Sequence, residues 1–184
     1  MSSADLIAGP GVIEVGEFVD MDLPDSCEWE LLNGTVVSLT FPDFRHSLLQ
    51  RRIYELLATG LRNSSVHIEL PYMLSNLRAH RADVAVVSRE AERRVSRIFP
   101  SPPELIVEVL SESNRRRLYK LEELEARCLD QGTLQFWRVD PLTRTIEVRD
   151  SSGKRTLYGK NDAILVELAG DSALIPVGEV FEDL

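Results

Sequence analysis

Cysteine is nearly absent. Cys27 and Cys128 lie far apart and form no CxxC pair, and the chain has only three histidines. That excludes a disulfide-stapled scaffold and a Cys/His zinc module; free thiols in a cytoplasmic protein are the expectation. Basic charge is also short. Against 30 Asp and Glu stand 21 Lys and Arg, a net charge of −9. This argues against gripping nucleic acid by bulk electrostatics, though an enzyme can still meet phosphates locally through a metal ion and a few arginines. No stretch approaches the roughly 18 consecutive apolar residues of a membrane helix. The opening MSSADLIAGPGVIEVGEF lacks the basic-then-apolar plan of a signal peptide. The chain also has no Gly-rich phosphate loop, serine nucleophile elbow, internal repeat or low-complexity linker. His67 and His80 have no spacing that forms a metal site.

What remains is a 184-residue chain of ordinary globular composition, long enough for one domain with a real core. Residues 1–17 read as an irregular N-terminal segment broken at Gly9-Pro10-Gly11, and 18–184 as a single domain. VGEFVDMDL suggests a short helix closed by Pro24. CEWELLNGTVVSLT suggests two strands around Asn33-Gly34, a strong hairpin signal. In RHSLLQRRIYELLATGL, Leu48, Leu49, Ile53, Leu56, Leu57 and Leu61 share one helical face, with Asp43 or Ser47 as cap. SSVHIELPYMLSN reads as strands interrupted by Pro71. RADVAVVSR is a short β-rich run, and ELIVEVL fits a central strand covered on both faces. A second helix is expected over 116–131, ending at Gly132. LQFWRVD and TRTIEVRD are strands turned by Asp140-Pro141, and late hairpins are expected to extend the sheet. The plan is α+β: a central mixed β-sheet flanked by helices, with C-terminal β-hairpins.

Two acids break the apolar pattern. Glu108 sits inside Leu105-Ile106-Val107-Glu108-Val109-Leu110, and Asp83 inside RADVAVV. Burying a lone carboxylate costs several kcal/mol, on the order of a whole protein's stability, so each needs a cation, a metal or water. Two such strands side by side place both acids at one sheet edge, where hard oxygen ligands suit Mg²⁺. The bland alternative is a salt bridge for each, Asp83 with Arg78 or Arg81 and Glu108 with a core arginine. The basic groups Arg78-His80-Arg81, Arg89-Arg93-Arg94-Arg97 and Arg115-to-Lys120 read individually as solvated surface.

In the order WELLNGTVV, RADVAVV, PELIVEVLSES, FWRVDPLTRTIEV and LIPVGEVF, the chain resembles the Uma-type restriction endonuclease family of the PD-(D/E)XK nuclease superfamily. The likeness runs from about Phe18 to Phe181. It implies a restriction-endonuclease-like core in which Asp83 and Glu108 bind Mg²⁺ or Mn²⁺ and Val109 lends its carbonyl. Glu30 completes the acidic cluster, with Trp29 in the place of the family's tyrosine. His46 matches a histidine that opens the first core helix. The superfamily's plain pattern has lysine where this chain has Leu110. The Uma-type pattern moves it to the next helix, where Glu122 stands by distance from Glu108 and Leu124 by counting back from Gly132 and Trp137. Lys120, one turn earlier, is the lysine available for the role.

The resemblance implies hydrolysis of DNA phosphodiester bonds, with Lys120 polarising the attacking water and Arg115, Arg116 and Arg117 steering the DNA backbone. Cutting both strands implies a homodimer. Two other readings compete. One is a catalytically degenerate nuclease fold that binds nucleic acid or protein. The other is a plain interaction domain whose acids are salt-bridged.

Overall fold

The computed structural model describes residues 6–7, 11–24, 28–39, 43–95, 97–111, 115, 118–168, 170–182 and 184. Order begins ahead of residue 18: β1 (Leu6–Ile7) pairs with β3, and α1 spans Val15–Asp20. There follow β2 (Glu28–Leu32), β3 (Thr35–Leu39), α2 (Phe44–Gly60), β4 (Ser64–Ser75), β5 (Arg78–Ser88) and α3 (Arg89–Glu92). The second half holds β6 (Leu105–Val109), α4 (Leu118–Asp130), β7 (Gln135–Asp140), β8 (Thr145–Asp150), β9 (Arg155–Tyr158), β10 (Ala163–Leu168), β11 (Asp171–Pro176) and α5 (Val177–Val180). No helix among the described residues is long and apolar enough to cross a membrane.

Local chemistry accounts for these elements. Asn33 and Gly34 both take positive φ, 52° and 77°, the geometry of the two-residue turn that matches strand twist. Gly34 is required twice over, since a Cβ there would stand 2.3 Å from Val12 Cγ1. Asp43 caps α2 by accepting from the His46 N–H at 2.9 Å. Leu49, Ile53 and Leu57 are fully buried along its inner face, each contributing roughly 1.5–3 kcal/mol.

The mixed main sheet runs β1-β3-β2-β5-β6-β7-β8-β9, with β4 along the other edge of β5. β6 and β7 are parallel, linked by α4, and the other pairs are antiparallel. One sheet face packs Val84, Val107, Trp137 and Ile146 against α2, α5 and the β10–β11 hairpin. The opposite face packs Ala85, Ile106 and Phe136 against Leu121, Leu124 and Cys128 of α4. A third cluster seats α1 on β2 and β3 through Val15, Leu31 and Val36.

Three expectations need correction. Pro71 does not interrupt a strand: β4 runs unbroken, with Pro71 opposite Arg81. β4 is paired along its length only on the β5 side, so a missing N–H on its outer edge is tolerated, and the Pro71 carbonyl accepts from Phe99 N–H at 3.0 Å. β10 and β11 do not extend the main sheet. They form their own two-stranded sheet, because Ile164, Val166 and Ile175 are spent covering its α2-side face. The first helix ends at Asp20, with Met21 as C-cap, ahead of Pro24.

Candidate active site

The site lies where β5 loses a neighbour. β6 pairs with β5 only from Val86↔Leu105 to Val84↔Val107, and β2 touches β5 only at Leu31↔Ala79. Residues 80–83 of β5 therefore border a fork between the two strands. Glu30 enters it from β2, His80, Arg81 and Asp83 from β5, and Glu108 with Val109 from the end of β6.

Asp83 caps the fork with its side chain. Where the β5–β6 ladder stops, Asp83 Oδ2 accepts the Val109 backbone N–H at 2.6 Å. The same oxygen meets His46 Nε2 at 3.1 Å, and Oδ1 accepts from Gln50 Nε2 at 3.1 Å. The Gln50 amide also donates to Glu69 Oε1, so one buried side chain of α2 bridges two carboxylates. Glu69 has φ 57° within β4, a left-handed conformation that costs about 1–3 kcal/mol in a non-glycine residue and gathers at functional sites. Its other oxygen lies 3.1 Å from Arg81 Nε.

Glu108 differs from all of these. It is 9% exposed and has no hydrogen-bond or ion-pair partner among the described residues. By alternation it shares the α4 face of β6 with Ile106. Burial, reinforced by the charges of Asp83, Glu30 and Glu69, holds its pKa well above the ordinary carboxylate range. Arg138 stands beside it in register on β7. That guanidinium turns instead to Glu147, to Glu125 at 3.5 Å and to Glu122 at 3.8 Å. Neither Asp83 nor Glu108 is locked to an arginine.

His80 organises the β2 side. Its Nε2 accepts from Arg78 Nε at 3.1 Å, which leaves Nδ1 to donate to Glu30 Oε1 at 3.2 Å. For His46, burial works to lower the pKa, but the hydrogen bond and charge of Asp83, with Glu69 and Gln50, raise it above the ordinary value.

A family model described as "Uma2: Putative restriction endonuclease" matches residues 15–168. The chain belongs to the Uma2 family. A solved structure described as "a putative nuclease belonging to DUF820" from Anabaena variabilis shares the fold with a TM-score of 0.76. The two are 20% identical, and the match covers 92% of this chain and 97% of that one. No curated protein matches.

The Uma2 residues anticipated from sequence divide into two groups. Asp83 and His46 pair on the α2 side of the fork, where Asp83 also holds the Val109 backbone N–H; Glu108 lies on the α4 side, close enough to feel the charges of Asp83 and Glu30 but in contact with neither among the described residues. Lys120 is exposed in the first turn of α4 and makes no hydrogen bond or ion pair among the described residues. It continues the helical row of Leu124 and Cys128, which packs under the Glu108 face; Leu124, the other candidate position, is core. Arg115 is paired through both Nη atoms to Asp140 at the end of β7. Arg116 and Arg117 lie outside the described residues, as does Cys27. Most other members of the basic groups are likewise ion-paired: Arg78 with Glu123, Arg94 with Glu90 and Arg97 with Asp20.

Sequence reasoning missed Gln50, Glu69 and His80. Gln50 carried a signal, since it is a polar residue on the apolar stripe of α2, one turn after His46. Cys128 has its thiol pushed up to about 12 by burial and is inert; its Sγ lies 3.5 Å from the buried Tyr72 hydroxyl. Among the described residues, no three His, Cys, Asp or Glu side chains converge closely enough to hold a metal as they stand. The oxygens of Asp83, Glu30 and Glu69 face protein donors instead. The donor set still suits a hard cation: oxygen ligands, clustered negative charge and one buried carboxylate without a partner among the described residues.

Proposed function

We propose that the chain is a Mg²⁺- or Mn²⁺-dependent endonuclease that hydrolyses DNA phosphodiester bonds. The observation that carries this reading is Glu108, a buried carboxylate without a partner among the described residues, at the fork where Asp83 holds the next backbone amide. A lone buried acid is costly unless a cation joins it. Glu108 and Asp83 would hold the ion, with the Val109 carbonyl and Glu30 as further oxygen donors. A divalent cation bound there lowers the pKa of water and neutralises charge on the phosphate.

The chain's own groups have separate tasks. Gln50 and His46 orient Asp83, and His46 is further a candidate proton carrier at Nε2. His80 orients Glu30. Lys120, one turn above Leu124 on the row facing the Glu108 side, supplies positive charge to the phosphate and the attacking water. Arg116 and Arg117 steer the DNA backbone, while Arg115 is held by Asp140. With a net charge of −9, DNA contact is local and salt-sensitive. A homodimer would bring two such sites to the two strands, and a cytoplasmic location suits the free thiols. A second reading, a nuclease fold that binds without cutting, is favoured by one observation: the alternative lysine position is the buried Leu124.

The test is nicking of supercoiled plasmid with Mn²⁺. The parent should nick, chelator should stop it, Asp83→Ala should abolish it, and Lys120→Ala should slow it roughly 10²-fold. Nicking unchanged in both variants would place the activity outside this fork.

A further inference from the structure

Beside the carboxylates lies a cleft that the proposed chemistry does not use. Its volume is about 150 Å³, and its walls include Phe18, Trp29, Pro71, Glu69, His80 and Arg81. A cavity of that size admits one aromatic ring. Resting on the nucleic-acid reading above, we propose that this cleft takes an unstacked nucleobase next to the phosphate bound at the fork.

Three observations support a base as the occupant. First, the cleft and the site share residues: Glu69 is bridged to Asp83 through Gln50, and His80 holds Glu30. A phosphate at the fork therefore places its own nucleotide within reach of the cleft. Second, the aromatic wall is fixed in advance. Trp29 Nε1 donates to the Pro24 carbonyl at 2.9 Å, which sets the ring plane. α1, which carries Phe18, is tied down by Val15 N–H to the Asn76 carbonyl at 2.7 Å and by Arg97 to the Val19 carbonyl at 2.7 Å. A rigid aromatic face is what base stacking needs, at low entropic cost. Third, besides the two aromatics the lining is part polar and part apolar. Glu69, His80 and Arg81 line the cleft as polar groups already fixed by Gln50, Arg78, Glu30 and the Glu69–Arg81 pair, and Pro71, Ala79 and Ile98 are its apolar lining. Aromatic side chains beside a fixed polar lining match a base lifted out of its stack. A second acidic protein partner would meet the carboxylates of the fork, with which its charge conflicts.

The test uses a short single-stranded oligonucleotide carrying one 2-aminopurine, and the same oligonucleotide abasic at that position, titrated in Ca²⁺. The parent should quench the 2-aminopurine on binding. Trp29→Ala should lose the quench and bind about tenfold more weakly, Trp29→Phe should keep most of both, and Phe18→Ala should fall between. The abasic probe should bind the parent and Trp29→Ala equally. Thermal melts identify any variant that has lost its fold, in which case Trp29→Phe and Phe18→Ala decide. Equal binding and quenching in the parent and in both Trp29→Ala and Phe18→Ala would overturn the proposal. So would a parent that shows no quench at all. A parent that quenches the probe but never nicks plasmid refutes the hydrolytic reading and leaves the base site standing; one that nicks without quenching does the reverse.

Discussion

Glu108→Gln is expected to lose plasmid nicking by about 10³-fold or more and yet to melt at a higher temperature than the parent at pH 8. The two effects share one cause. Glu108 is buried near the charges of Asp83, Glu30 and Glu69, without a partner among the described residues, and its pKa is raised. In the unfolded chain a glutamate loses its proton near pH ~4.3. Below that pH both states are protonated and there is no penalty. As pH rises through the unfolded value towards the folded one, the native state holds the proton longer, and stability falls. Glutamine has the same shape and no proton to lose, so its stability gain should be absent at pH 4 and fully present only above the folded pKa. Melting curves across that range check the sign. A variant that nicks normally, or that is less stable at pH 8, would show that Glu108 is neither costly nor used.

Glu125→Gln should be the most destabilising single change outside the fork, by about 3–5 kcal/mol. Glu125 is fully buried in α4. Its oxygens face Arg149 Nη1 at 3.2 Å, Arg155 Nη2 at 3.3 Å and Arg138 Nε at 3.5 Å. Arg155 is more than a third exposed and screened by water, so its share is small. The cost falls on Arg138, whose pKa burial already lowers while Glu125 works to raise it, and on Arg149. Removing one partner strands the others, whereas replacing a pair with apolar groups of similar volume is often neutral. Urea unfolding should therefore show a large loss for Glu125→Gln and substantial recovery in Glu125→Leu/Arg138→Leu. A loss below about 1 kcal/mol would mean the network does not seat α4. The network also matters to the site, because it draws Arg138 away from Glu108, its neighbour in register.

Much of this was legible in the chain. The Asn33-Gly34 turn, the apolar stripe of α2 and the misfit acids Asp83 and Glu108 are local patterns, and local patterns survive folding. Glu125 could have been read in the same way, since it shares the period of Leu121, Leu124 and Cys128. The fork could not. It exists because β2 and β6 share one edge of β5 and part between residues 79 and 84, a relation among strands far apart in sequence. Glu69 owes its place to one left-handed residue in β4, and His80 its tautomer to Arg78; neither has a signature in spacing. The β10–β11 hairpin was misplaced because an alternating apolar strand satisfies a sheet edge and a sheet face equally well.

The most direct measurement is calorimetric titration of Mn²⁺ into the parent and into Glu108→Gln, at mildly acidic pH in two buffers of different ionisation enthalpy. The parent should bind and release protons as the raised Glu108 carboxyl gives its proton up to the cation, and the variant should bind far more weakly without that release. No binding in the parent, or identical binding and proton release in both, would contradict a cation at Glu108.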